Sequence, residues 1–192
     1  MKRYIMPVLL IILVLASGLV VGCGQSQKER DILDYLDKTI PLQIEYLEAI
    51  VAVMEAYKQD ERESIWKSRD VNRLLEVLAN EKKVANQTLE KVNYALSFLE
   101  TTPPPREAKT LHALWTRALQ TARDGLLKLS HSSGIRYEYL YSVLNPSVPK
   151  KELPPGASEE LTQGLHLMGE AVRMLGKAQV EVDNLMKLIG IK

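Results

Sequence analysis

The chain has 192 residues, 46% hydrophobic and 26% charged, the balance of an ordinary globular protein with one domain. Net charge is +1, and removing Lys2 and Arg3 with the leader described below leaves 23 of the 25 basic residues against 24 acidic ones, a surface with no field to attract nucleic acid as a partner. A single cysteine excludes an internal disulfide, and a composition led by Leu, Ala, Glu and Lys, with aromatics at 6%, favours helix over strand.

Met1-Lys2-Arg3 is a short basic start. Ile5 to Val21 is apolar apart from Pro7, Ser17 and Gly18, and small residues precede Cys23. These are the parts of a secretory signal. The segment Val20-Val21-Gly22-Cys23 resembles the bacterial lipobox: an aliphatic residue, a tolerant one, a small one, then cysteine. The resemblance implies diacylglyceryl transfer to the Cys23 thiol, cleavage after Gly22, and a palmitate-bearing anchor on the extracytoplasmic face of the inner or outer membrane. Residues 1–22 are then a signal peptide, 23–28 the lipidated cysteine with a short tether, and 29–192 the folded domain. An uncleaved transmembrane anchor is the other reading, and the apolar stretch is slightly short of the roughly 20 residues that a span needs. Either way residues 24–192 stand outside the cytoplasm.

Three breaks divide the rest into four segments. They are the charged run Lys58 to Glu63, the run Thr101-Thr102-Pro103-Pro104-Pro105, and Asn145 to Gly156 with Pro146, Pro149, Pro154 and Pro155. Proline removes a helical donor and restricts the residue before it. The first segment carries Leu33, Leu36, Ile40, Ile44, Leu47, Val51, Met54 and Tyr57 on one side. Pro41 inside it predicts a kink or a late start.

The second segment is apolar at eight of the nine positions 71, 75, 78, 82, 85, 89, 92, 96 and 99; Lys82 is the exception. The third carries Leu111, Trp115, Ala118, Ala122 and Leu129. Its pattern weakens at His131-Ser132-Ser133-Gly134 and returns at Tyr137, Leu140, Tyr141 and Leu144. The fourth is apolar at eight of the nine positions 161, 165, 168, 172, 175, 179, 182, 186 and 189; Gln179 is the exception. Heptad steps of this kind predict helical seams and exclude strands. Pro105 suits the first turn of the third helix, Ser158 an N-cap of the fourth, and Gly190 its C-terminal stop. The predicted fold is all-α, an up-down four-helix bundle of long helices.

Candidate chemistry is thin. A di-metal bundle uses Glu-x-x-His, but Lys109, Lys128 and Gln163 stand three residues before His112, His131 and His166. Met54, Met168, Met174 and Met186 at bundle spacing read as core filling before they read as haem ligands. No phosphate loop, H-E-x-x-H or G-x-S-x-G occurs, so no metal, cofactor or catalytic residue is expected. Trp115, Tyr137 and Tyr141 are candidates for a ligand or interface surface, or else cover the end of the bundle below the proline-rich loop. Lys82, Gln179 and Gln43 on the seams suggest either a buried polar layer or side chains that snorkel to water. Gly164, Gly169 and Gly176 either allow close helix approach or are simply tolerated.

A Pro-Pro turn, Pro104-Pro105, leading into a helix with the early His112 resembles small helical-bundle lipoproteins of bacteria. That resemblance implies an anchor and a fold, and no activity. The expected function is a non-catalytic interaction or scaffolding module, held to the membrane by diacylglyceryl-Cys23 and acting on an envelope protein. The alternative is a small-molecule binding or sensory bundle, an analogy at the level of fold.

Overall fold

The computed structural model describes residues 26–57 and 70–191. The leader, Cys23 and the break at Lys58 to Glu63 lie outside the described residues. Four long helices pack against one another: α1 (Gln27–Ala56), α2 (Val71–Thr101), α3 (Lys109–Leu144) and α4 (Ala157–Leu188), with a 3-10 turn at Arg106–Ala108 leading into α3. The fold is an all-α four-helix bundle.

The helix ends follow from local chemistry. Ser26 and Glu29 form a reciprocal cap on α1: the serine hydroxyl accepts from the Glu29 N–H at 3.3 Å, and the glutamate accepts from the Ser26 N–H at 2.7 Å. Pro41 neither delays nor interrupts α1. It sits on the exposed face, where water can satisfy the carbonyl that its missing N–H leaves free. Asp70 caps α2 by accepting from the Arg73 N–H at 3.0 Å. Pro105 stands just before the 3-10 turn that opens α3.

Ser158 does not cap α4. The helix is entered earlier, from Gly156 without any side-chain cap, because Ala157 is buried and its carbonyl accepts the Ser132 hydroxyl at 2.7 Å. At the far end of α4, Gly190 adopts φ of 77°, and the N–H groups of Gly190 and Ile191 reach the carbonyls of Lys187 and Met186. This closes the helix in a Schellman motif, which needs the left-handed conformation that glycine takes without strain.

Cross-helix contacts fix the directions. Thr88 bonds the Ala49 carbonyl and Lys91 pairs with Glu45, so α1 and α2 run antiparallel. Ser130 bonds Asn86 and Ser133 bonds Glu81, so α2 and α3 do too. Ser132 meets Ala157, and Gly125 meets Gly164, which reverses the chain again into α4. Tyr35 meets His112 and Tyr57 meets Ser133 across the bundle, so α1 and α3 are parallel. The order is up-down-up-down, with α1 packed closely on α2 and only lightly on α4.

The seams differ from the sequence expectation by one residue at alternate steps. In α2 the buried row is Leu74, Leu78, Glu81, Ala85, Thr88, Val92, Ala95 and Leu99, with the expected Leu96 buried beside it. Lys82 is exposed and Leu75 and Leu89 are half-buried on the flank. In α4 the row is Gly164, Met168, Ala171, Leu175, Ala178, Val182 and Leu185, with Val172 exposed and Gln179 half-buried, while the expected Met186 and Ile189 are buried at its end. The innermost row is rich in small residues because α3 lies close on both neighbours. A Cβ built on Gly164 would stand 2.8 Å from Leu129 and 3.0 Å from the Gly125 carbonyl oxygen. The large apolar residues then fill the grooves beside the contact line. Gly169 and Gly176 meet nothing within 4 Å and are tolerated, not required.

Candidate interaction surface

α3 carries most of the residues singled out from the sequence. It continues without interruption through His131-Ser132-Ser133-Gly134, and Ser132, Ser133 and Gly134 are all buried. The loss of apolar pattern there marks a polar core layer, not a break. Ser133 donates to the Glu81 carboxylate at 2.9 Å, and the Tyr57 hydroxyl, also at 2.9 Å, donates to Ser133. Glu81 is 0% exposed. The neighbouring Gly134 leaves room for the Lys82 side chain, whose Nζ would lie 3.3 Å from a Cβ built there. The buried ionisable residue of α2 is thus Glu81, and Lys82 runs out to solvent beside it.

Trp115 lies in the core, 2% exposed, and its ring stacks on Tyr35 at 6.0 Å between centroids. The Tyr35 hydroxyl sits 2.9 Å from His112 Nδ1. Burial pushes the Tyr35 phenol up and the His112 imidazole down from their ordinary ranges, so both partners of this hydrogen bond are held neutral. Trp115 also lines a cavity of about 20 Å³ between the four helices, together with Thr39, Gln43, Tyr46 and leucines of α1 to α4.

The other aromatics mark the end of the bundle opposite Ser26. Tyr137 is half-buried against a small apolar cluster formed by Leu74, Leu78, Val77 and Leu140. Tyr141 stacks on Tyr137 with ring centroids 6.0 Å apart and planes at 10°. Tyr141, Val143 and Leu144 in the last turn of α3, and Leu153 in the segment that follows, are each between 40% and 51% exposed. That segment is tied to α3: the Lys151 N–H donates to Ser142 Oγ at 3.0 Å, and the Lys151 ammonium pairs with Glu138. The pairing holds the Glu138 carboxyl below the usual carboxylate range.

Sequence periodicity singled out Tyr137 and Tyr141 but not Val143 or Leu153. A large side chain on the outer face of a helix end, or after it, carries no periodic signal.

The histidines do not assemble a site. His131 pairs with Glu160 at 2.7 Å and His166 with Glu170 at 3.6 Å, both at the surface, while His112 is engaged with Tyr35. Among the described residues no group of three or more His, Cys, Asp or Glu side chains is arranged to hold a metal ion. No described helix is long and apolar enough to cross a membrane. Comparison with protein-family models, with curated proteins and with solved structures returned no match.

Proposed function

We propose that this chain is a lipid-anchored, non-catalytic interaction module of the bacterial envelope. In this reading diacylglyceryl-Cys23 holds it to the membrane and the opposite end of the bundle docks an envelope protein. The observation that carries the docking half is the group of exposed apolar side chains at that end: Tyr141, Val143, Leu144 and Leu153. Single exposed apolar residues are ordinary on protein surfaces, but several within one helix turn and its following segment are the composition of a contact site. The anchor half rests on the lipobox-like segment Val20-Val21-Gly22-Cys23.

Geometry makes the two halves compatible. α1 starts at Gln27, next to the proposed tether, and α3 runs parallel to it and ends at Leu144. A helix of 36 residues is about 54 Å long. A tether that ends at Ser26, shorter than the 23–28 expected from the sequence because Gln27 and Lys28 are already helical, therefore holds the Ser26 end close to the membrane and presents the Tyr141 end about 50 Å away.

The small-molecule reading draws less support. Ligand pockets for metabolites are typically about 300–1,000 Å³. The cavity beside Trp115, at about 20 Å³, is of the size of a water molecule.

The test is photo-crosslinking in intact membranes, with the reactive residue placed at Tyr141 in one strain and at the exposed Tyr94 on the side of α2 in another. The reading expects a discrete protein adduct from position 141 that disappears in Cys23→Ser. Equal labelling from both positions, or none from 141, contradicts it.

A further inference from the structure

Three tyrosines recur every 11 residues along α1: Tyr35, Tyr46 and Tyr57. Eleven residues make about three helical turns, so the three rings share one face, and all three are buried. The outer two reach across the bundle to α3. The Tyr35 hydroxyl meets His112 at 2.9 Å, and the Tyr57 hydroxyl meets Ser133 at the same distance. The middle one does not: Tyr46 Oη is buried with no hydrogen-bond partner within the protein. The same holds for Gln43 Nε2, less than one turn before it, and for Trp115 Nε1 on α3, whose ring stacks on Tyr35. Native proteins pair nearly all such atoms. α1 is thus pinned to α3 near its two ends and carries unmade hydrogen bonds between them.

Packing also sets α1 apart. α3 lies close on both α2 and α4, and at Gly125 and Gly164 the backbones themselves approach. α1 rests on α2 less extensively and touches α4 only lightly. Its ties to α2 include a long bond of 3.4 Å from the Thr88 hydroxyl to the Ala49 carbonyl, and the surface pair of Glu45 with Lys91. An exposed ion pair of that kind adds little. Pro41 removes one rung of the helix's own ladder near its middle.

α1 buries Ile32, Leu36, Ile50 and Val53, so the closed bundle is the dominant state. A buried donor or acceptor without a partner costs its desolvation, and that cost is recovered once water reaches the group. Lifting α1 admits water to Gln43, Tyr46 and Trp115, whereas separating α3 from α4 breaks the closest contact of the bundle. We infer that α1 is a releasable arm, which lifts off as a unit while α2, α3 and α4 stay packed. The Tyr35 and Tyr57 hydroxyls hold it closed, and the unpaired atoms around Tyr46 favour its release. Proteins open in cooperative units of this kind at free energies below that of global unfolding. Under the lipid anchor proposed above, each opening adds α1 to the tether and lets the α2–α4 unit stand farther from the membrane. That consequence rests on the anchor; the opening itself does not.

The experiment follows amide hydrogen exchange by mass spectrometry in the purified full chain in detergent, resolved peptide by peptide. In wild type, peptides throughout α1 are expected to share one level of protection, lower than that of the buried parts of α2, α3 and α4. Tyr57→Phe is expected to raise α1 exchange about five- to tenfold, the effect of one lost hydrogen bond, and to leave α2–α4 unchanged. Tyr46→Phe removes an unpaired group, so α1 exchange should be no faster than in wild type. Far-UV circular dichroism confirms the helices in each variant. Three results overturn the inference. One is an α1 as strongly protected in wild type as α2–α4, which then opens only with the whole chain. Another is a Tyr57→Phe variant in which α1 exchange is unchanged, or rises equally in all four helices. The last is a Tyr46→Phe variant that accelerates α1 exchange, which gives the Tyr46 hydroxyl a partner in the closed state.

Discussion

The close crossing of α3 and α4 makes opposite predictions for two glycines of one helix. Alanine in place of a helical glycine gains about 1 kcal/mol of backbone stability wherever the methyl group has room. At Gly176 nothing lies within 4 Å of the new Cβ, so Gly176→Ala should realise that gain. At Gly164 the Cβ falls 2.8 Å from both Cγ and Cδ2 of Leu129 and 3.0 Å from the backbone oxygen of Gly125. Leu129 is fully buried and cannot swing aside, and the carbonyl belongs to a helix backbone. Overpacking of this kind costs about 1–3 kcal/mol, and with neither neighbour free to yield the upper figure applies. Subtracting the propensity gain leaves Gly164→Ala less stable than wild type by about 2 kcal/mol. For a chain of this size 1 kcal/mol moves Tm by about 2–4 °C, so Tm should fall by about 4–8 °C in Gly164→Ala and rise by about 2–4 °C in Gly176→Ala. Thermal unfolding followed by circular dichroism reads both. If Gly164→Ala proves as stable as Gly176→Ala, the helices do not approach at Gly125 and Gly164 and the crossing is refuted.

The shifted seam of α2 gives a second contrast: Glu81→Ala should cost about 3 kcal/mol in urea denaturation, since it strips the carboxyl acceptor from the buried Ser133 hydroxyl, to which Tyr57 is bonded in turn, whereas Lys82→Leu should stay within about 0.5 kcal/mol. The reverse order of the two losses would restore the periodic seam through Lys82. A third prediction concerns pH. His112 has its folded-state pKa lowered by burial, so the unfolded chain binds the proton more readily; its contribution to stability is complete above the ordinary histidine value of about 6.5 and is lost as pH falls through the lower folded value. Tm measured between pH 7.5 and 5 should therefore decline on the acid side, and the decline should be shallower in His112→Gln; an unchanged slope in that variant assigns the effect to other groups.

Much of this architecture is legible in the residues themselves. The prolines at 103–105 and 146–155 separate helices cleanly, the heptad steps exclude strands, and Gly190 stops α4 as a left-handed glycine should. The contact rows are less legible, for a physical reason. Periodicity is scored by large apolar residues, and here the buried rows include Thr88, Ala95, Gly164, Ala171 and Ala178, which are small. The scoring therefore drifts to Leu75, Leu89 and Leu165 on the flanks.

The polar layer is invisible to any local reading. Glu81 is separated from Ser133 by 52 residues, and Tyr57 from Ser133 by 76. Alone, Glu81 looks like a surface residue, Ser133 like a break in the pattern, and Tyr57 like the last member of an apolar stripe. The cavity has the same character. Gln43 and Trp115 stand out in the sequence, but nothing short of the fold brings them together with Tyr46.

The proposed role depends most directly on Cys23. Cells expressing the full chain and grown with labelled palmitate should yield a labelled protein that sediments with membranes. In Cys23→Ser the label should vanish and the chain should lose its lipid-dependent attachment. A wild-type chain without label, or a Cys23→Ser chain that keeps it, contradicts the lipid anchor and with it the account of a bundle that holds its Tyr141 end away from a membrane.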